Sequence, residues 1–545
     1  MSYNSFVYLF VFLVLAWLAW ALLPQKWRPG ALLAASLVFY AVSARQYTVY
    51  ILATAAVCWV AGQQLGRLDA LFQAARKDLP PPARKEMKQR VAALKKLTVG
   101  ASAAAVLAVL LAARLPGSPA LSLPAFVQPL GLSFFTLMAA GYLVDIYRGV
   151  SEPAEHYWQV LLFLSFWPHV VEGPFDRWGA LRPALLDPPA PSYRDLTFGI
   201  QRIVWGLFKK MVVADRAYVY VRAVFDDWTQ YSGAAVIAGV VMYTLELYAE
   251  FSGCMDIALG SAELLGVHLA ENFRQPFFAR SVGEFWRRWH ITLGAWLREY
   301  VFQPLCLSRP LQRFGRFCRE KFGPAAARKW PVWLALCLTW ALIGLWHGAA
   351  AIYLVYGLYY FALQWLGEAA EPALVKALPN LGAWRQKPAW HVWQVVRTWG
   401  FVGFGMLLFR ANGVRAAWQM LVSLLRPYAG SLLIKIDARD AMVLAAGAAL
   451  MLAVDWAHER GHRLRHALAA AALGRLCWRG AAGHDLRRVR RQLRTGRLHL
   501  RAVLTGVSDK SKVLENSLKR CGCKARSRRN TLCIPRLRNA ADAAF

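Results

Sequence analysis

The sequence predicts an all-α polytopic membrane protein: a multipass helical bundle with re-entrant and interfacial helices around a buried reaction chamber. Three observations carry this. Of 545 residues, 57% are hydrophobic and only 18% charged, with a mean hydropathy of +0.32, which is the composition of a membrane protein rather than of one soluble globule. Apolar runs long enough to enter or cross a bilayer recur along the chain, joined by basic connectors. Some of those runs contain helix breakers and ionisable residues. Such groups persist at membrane depth only where protein buries them or a cavity receives them.

In chain order, residues 5–23 form an apolar helix without the basic start or small-residue cleavage site of a signal peptide, so a retained span is expected. Residues 30–42 and 47–66 follow as further spans. Residues 67–96 are polar and basic, broken at Pro80-Pro81-Pro82, and the positive-inside rule puts them in the cytoplasm as a loop. Three spans precede that loop, which places the N-terminus outside. Residues 97–113 and 127–144 continue the bundle. Residues 158–179 carry Pro168, Gly173 and Pro174, which break any helix. They read equally as a re-entrant segment lined by His169 and Glu172 and as a surface loop. Residues 198–216 form an amphipathic helix with Lys209 and Lys210, and 233–248 another span. Residues 309–329 form a second basic loop. Residues 353–367, 391–409 and 441–457 complete the helices.

The formal charge is +34 and the pI near 10.2. Nucleic-acid binding is set aside, because basic cytoplasmic loops explain the charge of a chain this apolar. Cys58, Cys254 and Cys337 lie in apolar runs, and Cys306 and Cys318 flank a basic loop without metal-ligand spacing. No disulfide framework is expected. No G-x-S-x-G elbow, H-E-x-x-H, Walker loop or dinucleotide fingerprint is present, and no metal is implied.

The densest chemistry lies between Tyr248 and Leu305. It reads Y-A-E-F-S-G-C-M-D-I-A, then E-N-F-R-Q-P-F, then E-F-W-R-R-W-H-I-T-L. Read as one helix over 285–301, it puts Phe285, Trp289, Leu293, Trp296 and Tyr300 on a single stripe. Arg287, Arg288, Arg298 and Glu299 lie away from it. That pattern predicts a helix at the membrane interface, with His290 one residue past the stripe, where an inward orientation is open. Downstream, 332–352 is a single apolar run interrupted by Thr339 and His347. Gly344 and Gly348 flank His347 and admit a close neighbouring helix.

These motifs, with G-L-W-H-G-A around His347, resemble the membrane-bound O-acyltransferase family, in the branch of the alginate O-acetyltransferases and teichoic acid D-alanyl-transfer proteins. The likeness runs from about Ser5 to about Trp456. Glu250 and Glu299 stand where the branch pattern has Asp, and both keep the charge. The resemblance implies a multipass bacterial inner-membrane enzyme with a 1–460 acyltransferase domain. It implies an acyl group, acetyl foremost, supplied by a cytoplasmic acyl-thioester donor such as acetyl-CoA, with no bound cofactor. It implies membrane lipid around the protein, a hydroxyl acceptor on an extracytoplasmic polysaccharide, and an extracytoplasmic acyl-relay or acetyltransferase partner. The rival reading is a transporter or flippase of a glycan precursor. Such proteins often show inverted repeats, and none is visible here.

His347 matches the family's essential histidine, and the resemblance makes it the general base, in place of a buried histidine that only bonds a neighbouring helix. His290 matches the second motif histidine, with three roles open: orienting the acceptor, donating to an oxyanion, or pinning the interfacial helix. Asp256, Asn272, Trp286, Arg287 and Trp346 complete the candidate set as substrate-binding residues. For Asp256 a structural pairing with Arg287 or Arg288 is preferred, and for Trp286 and Trp346 packing is the competing reading.

The stretch 473–545 departs from that pattern. It holds 19 Lys and Arg against 4 Asp and Glu, a net +15, and reads as a disordered basic tail at the membrane surface. A second reading is a frameshifted translation. GC-rich codons for residues 484–504, shifted by one base, permit an apolar helix ending F-I-Y-A-Q-F and a stop, the family's own ending at the family's own place. That reading is preferred.

Overall fold

A computed structural model describes residues 2–44, 48–114, 131–190 and 192–462. The stretch 473–545 lies outside them. In chain order the α-helices are α1 (Leu13–Leu22), α2 (Arg28–Ala44), α3 (Thr48–Ala75), α4 (Pro81–Arg114), α5 (Leu132–Arg148), α6 (Tyr157–Ser165), α7 (Trp167–Val170), α8 (Trp178–Leu186), α9 (Tyr193–Phe208), α10 (Asp215–Asp226), α11 (Gly233–Leu264), α12 (Val282–Arg288), α13 (Ile291–Leu297), α14 (Gln303–Cys306), α15 (Arg309–His347), α16 (Ala351–Ala377), α17 (Leu381–Trp384), α18 (Pro388–Arg410), α19 (Val414–Ser423) and α20 (Ala438–Glu459). Among the described residues the one β feature is an antiparallel bridge between Phe273 and Trp289. The fold is all-α, and six of its helices are long and apolar enough to cross a membrane: α3, the 81–108 part of α4, α11, α15, α18 and α20.

Two expected loops are helical. The run 67–96 is the end of α3 and the start of α4, joined by a turn at residues 76–80. Its Lys, Arg, Glu, Gln and Ala are strong helix formers, and Pro81 opens α4, where a missing N–H costs nothing. The run 309–329 is the basic first part of α15. That helix breaks at Gly323 (φ 84°, ψ 179°), a conformation glycine reaches freely, and Pro324 begins the apolar part.

The segment 158–179 is buried rather than a surface loop. Trp167, Pro168, His169 and Val170 are all buried. The turn that follows closes with Gly173 against the His169 backbone, where a Cβ would overlap it. His169 does not line a chamber. Its ring is fully enclosed, with Nε2 2.7 Å from the Phe163 carbonyl. The N-terminus ties into the same region: Tyr3 donates to the Trp167 carbonyl at 2.5 Å and Tyr8 to Ser261 Oγ at 2.9 Å.

The most extensive helix pairing is α9 along α11. Its cause is two pairs of facing glycines. A Cβ on Gly206 would lie 2.5 Å from the Gly253 carbonyl, and one on Gly253 2.9 Å from the Gly206 carbonyl. Gly199 and Gly260 repeat the relation at 2.8 and 2.7 Å. Backbone meets backbone along this seam, the mode of close approach that small residues provide inside a membrane.

Candidate active site

The expected single helix over 285–301 is broken at its candidate histidine. α12 ends at Arg288, and His290 takes a left-handed conformation (φ 48°, ψ 50°) before α13 begins. A non-glycine residue there is strained and is held only by its surroundings. What holds it is the segment 272–274. Arg274 N–H donates to the Arg288 carbonyl and Ile291 N–H to the Asn272 carbonyl, each at 2.9 Å, around the Phe273–Trp289 bridge. The stripe therefore faces protein rather than an interface: Phe285, Trp289 and Leu293 are buried, Trp296 donates to the Leu137 carbonyl and Tyr300 to Asp145.

That backbone pairing sets Asn272 beside His290, both buried. Asn272 Oδ1 lies 3.1 Å from His290 Nδ1, 3.1 Å from the Thr292 amide nitrogen and 2.9 Å from the Thr292 hydroxyl. The Phe175 N–H, from the re-entrant segment, donates to Thr292 Oγ1 at 3.0 Å. Phe251 stands edge-on to the imidazole at 4.8 Å. Burial first, and then the charge of the nearby His347, lowers the His290 pKa from 6.5 to about 3, so the ring is neutral at working pH.

His347 is the last residue of α15, not the middle of a span; a turn separates it from α16. The two helices meet at Gly344 and Gly357: a Cβ on Gly344 would overlap the Tyr353 backbone, and one on Gly357 the Trp340 carbonyl. The expectation that Gly344 admits a close helix holds, and the helix is α16. The His347 ring is edge-on to Phe409 at 4.8 Å and to Tyr356 at 5.9 Å. Trp346 lies between the two histidines, 4.8 Å from His347 and 6.3 Å from His290 by ring centres. Trp286 belongs to the adjoining aromatic cluster, 5.2 Å from Trp340 and 4.8 Å from Tyr360. Among the described residues the indole N–H groups of Trp286 and Trp346 are buried without a hydrogen-bond partner, as are those of Trp20, Trp167 and Trp390 elsewhere; what sets Trp346 apart is its place beside both histidines.

His290, Asn272, Trp346 and His347 thus converge, with Trp286 alongside. Arg287 is exposed on α12. Asp256 is tied elsewhere. Its partners are Arg202 Nε at 2.9 Å and Lys209 Nζ at 2.7 Å, rather than the expected Arg287 or Arg288. Arg288 pairs with Glu284 and Glu459. The reason is the glycine seam, which lays α9 along α11. Arg202 also grips Glu271, the residue before Asn272, so the seam anchors the segment 272–274 that carries the site. Thr292, the Phe175 amide, Arg202 and Lys209 were not foreseen from sequence. Thr292 stands in the W-H-I-T motif, two residues past His290, which was the available signal. One further group of potential ligand atoms, Asp195, Glu263 and His268, lies within 4.8 Å; it includes neither histidine of the pair.

Residues 156–317 match the model of the membrane-bound O-acyltransferase family. The chain is 31% identical over 293 residues to a probable alginate O-acetylase of Pseudomonas aeruginosa, covering 54% of this chain and 50% of that protein. It is 28% identical over 324 residues to a peptidoglycan O-acetyltransferase of Helicobacter pylori, covering 54% and 56%. It is 25% identical over 294 residues to a teichoic acid D-alanyltransferase of Bacillus subtilis, covering 51% and 68%. The chain spans about half the length of the first two of these relatives.

Proposed function

We propose, with residues 156–317 belonging to the membrane-bound O-acyltransferase family as the premise, that this protein is a bacterial inner-membrane O-acyltransferase. It moves an acyl group, acetyl in our reading, from a cytoplasmic thioester donor to a hydroxyl acceptor. The product is an O-acylated extracytoplasmic polysaccharide, reached through an extracytoplasmic acyl-relay protein. Residues 1–460 form the enzyme, and the stretch after about Leu473 adds nothing to it. The basic parts of α3, α4 and α15 face the cytoplasm, where the donor binds.

One observation carries the reading. Two motif histidines, 57 positions apart in the chain by their numbers, both pack against Trp346, among the aromatic rings of Phe251, Tyr356 and Phe409. His347 serves as general base. It takes the proton of the acceptor hydroxyl as that oxygen attacks the thioester carbonyl. The carbonyl oxygen gains charge and accepts from Trp346 Nε1–H. The C–S bond then breaks, the ester C–O bond is complete, and the thiolate takes up the proton from the imidazolium. Asp256, with one carboxylate oxygen held by Arg202 of α9 and the other by Lys209 just past its end, supports the seam and does not touch the acyl group.

The test is His347→Ala. Polymer acylation should fall by a factor of roughly 10²–10⁴, the usual contribution of a general base, at unchanged protein abundance. Wild-type acylation in that variant removes the assignment.

A further inference from the structure

We propose that Asn272 is a positioning residue that locks His290 in the Nδ1-protonated tautomer, leaving Nε2 as a bare acceptor. This decides among the roles open to His290. It accepts a hydrogen bond or a proton in the chamber, and it is not the oxyanion donor.

The argument needs only donors and acceptors. A backbone N–H can only donate, so the Asn272 atom 3.1 Å from the Thr292 amide is the carbonyl oxygen and not the NH₂ group. The same oxygen lies 2.9 Å from the Thr292 hydroxyl. That hydroxyl already accepts from the Phe175 N–H, so its own proton is free to point at Asn272. The amide's other end agrees: Nδ2 faces the thioether of Met255 at 3.7 Å, a weak acceptor that offers no proton. A carbonyl oxygen can only accept. His290 Nδ1, 3.1 Å away, therefore carries a hydrogen. A buried neutral imidazole has one such hydrogen, and Nε2 has none.

The lock is built from three parts of the chain. The broken, buried segment 158–179 supplies the Phe175 amide, the bridged segment 272–274 supplies Asn272, and the start of α13 supplies Thr292. The strained backbone at His290 is what brings Nδ1 to Asn272. For catalysis the consequence is a division of labour. Trp346 Nε1–H is the donor near the pair, and the acceptor hydroxyl has a single proton: His290 Nε2 accepts its hydrogen bond on entry, and that bond is given up when the proton passes to His347. This last consequence rests on the acyl-transfer reading; the tautomer does not.

The experiment uses full-length protein in nanodiscs with ¹⁵N-labelled histidine imidazoles, the His290 signals being assigned by their loss in His290→Asn. Asparagine tolerates the left-handed conformation, so that variant keeps the backbone. At neutral pH the expected pattern is a protonated-type Nδ1 and an unprotonated-type Nε2, fixed in the native protein and averaged in Asn272→Leu. The reverse pattern, or averaging in the native protein, overturns the lock. Transfer is then followed in membranes with radiolabelled acetyl-CoA as the probe. Asn272→Leu should lower kcat by about 10²-fold, as loss of orientation does, with KM little changed, and Asn272→Asp should move the acidic limb of the pH profile upward by favouring imidazolium. A native kcat and pH profile in both variants removes the positioning role. Absence of transfer by the native protein counts instead against the proposed function and leaves the nitrogen spectrum to stand.

Discussion

The α9–α11 seam and the histidine chamber share a helix yet treat polar groups in opposite ways. Along the seam each charge is answered within the chain: Asp256 by Arg202 and Lys209, Lys209 also by Ser252, and Arg202 also by Glu271. At the histidines, the buried Trp346 indole N–H has no partner among the described residues, and His290 is held in strained backbone. Burial alone does not mark a site. Asp256, a candidate substrate-binding residue by its motif, has its charge matched along the seam instead. Trp346, which reads as packing, carries an open valence.

Substitutions should split along the same line. The largest effect is expected from Gly206→Val. Its Cβ would meet the Gly253 carbonyl, and rigid backbone on both sides leaves no relief. Folded protein should be lost, seen as absence of a monodisperse peak after detergent extraction; a normal yield with normal melting would disprove the seam. Next, Asp256→Asn leaves Lys209 and Arg202 short of a counter-charge, a defect that typically costs about 3–5 kcal/mol when a buried pair is broken. Abundance and Tm should drop, while transfer per folded molecule is largely kept. A collapse of specific activity at native Tm would move Asp256 into the chamber.

The third test uses pH. His290 has a folded pKa near 3 and an unfolded value near 6.5. Between those values the unfolded chain binds more protons, so this residue's share of stability is lost as pH falls from about 6.5 towards 3. His290→Asn should show a shallower acid-side decline in Tm than the native protein; parallel curves would mean that the ring is not held neutral. The smallest effect on stability is expected from Trp346→Phe. It keeps the ring but removes an N–H that has no partner among the described residues, so Tm should not move. Transfer should fall by roughly 10²–10³-fold, the usual cost of removing one oxyanion donor. A Tm loss without a rate change would return Trp346 to packing.

Much of this was legible in the chain. Periodicity and composition located the helices, and the expected spans at 47–66, 97–113, 233–248, 391–409 and 441–457 overlap helices long and apolar enough to cross a membrane, while those at 5–23, 30–42, 127–144 and 353–367 do not; the breakers Pro168, Gly173 and Pro174 marked a segment that is broken and buried. The break at His290 was not legible, because neither glycine nor proline announces it; the segment 272–274, some 18 positions upstream, holds it through two backbone hydrogen bonds. The partners of Asp256 were hidden for the same reason. Arg202 and Lys209 lie on another helix, and only the match of Gly199 and Gly206 to Gly260 and Gly253 brings them close. The basic runs at 67–96 and 309–329 hide their helices, because the same Lys and Arg that mark a cytoplasmic loop are strong helix formers.

The two tyrosines near the N-terminus set an order of assembly. Tyr8 finds its partner at Ser261 and Tyr3 at Trp167, so the first helix made has no finished berth until the ribosome has passed the eleventh. Until then its polar hydroxyls travel through the insertion machinery unmatched. Closing that long circuit is a late event of biogenesis, and it clamps the re-entrant segment after the other walls of the chamber are already synthesised in part. Trimming the first few residues would therefore register as slow maturation of the enzyme, sooner than as failure of the first helix to insert.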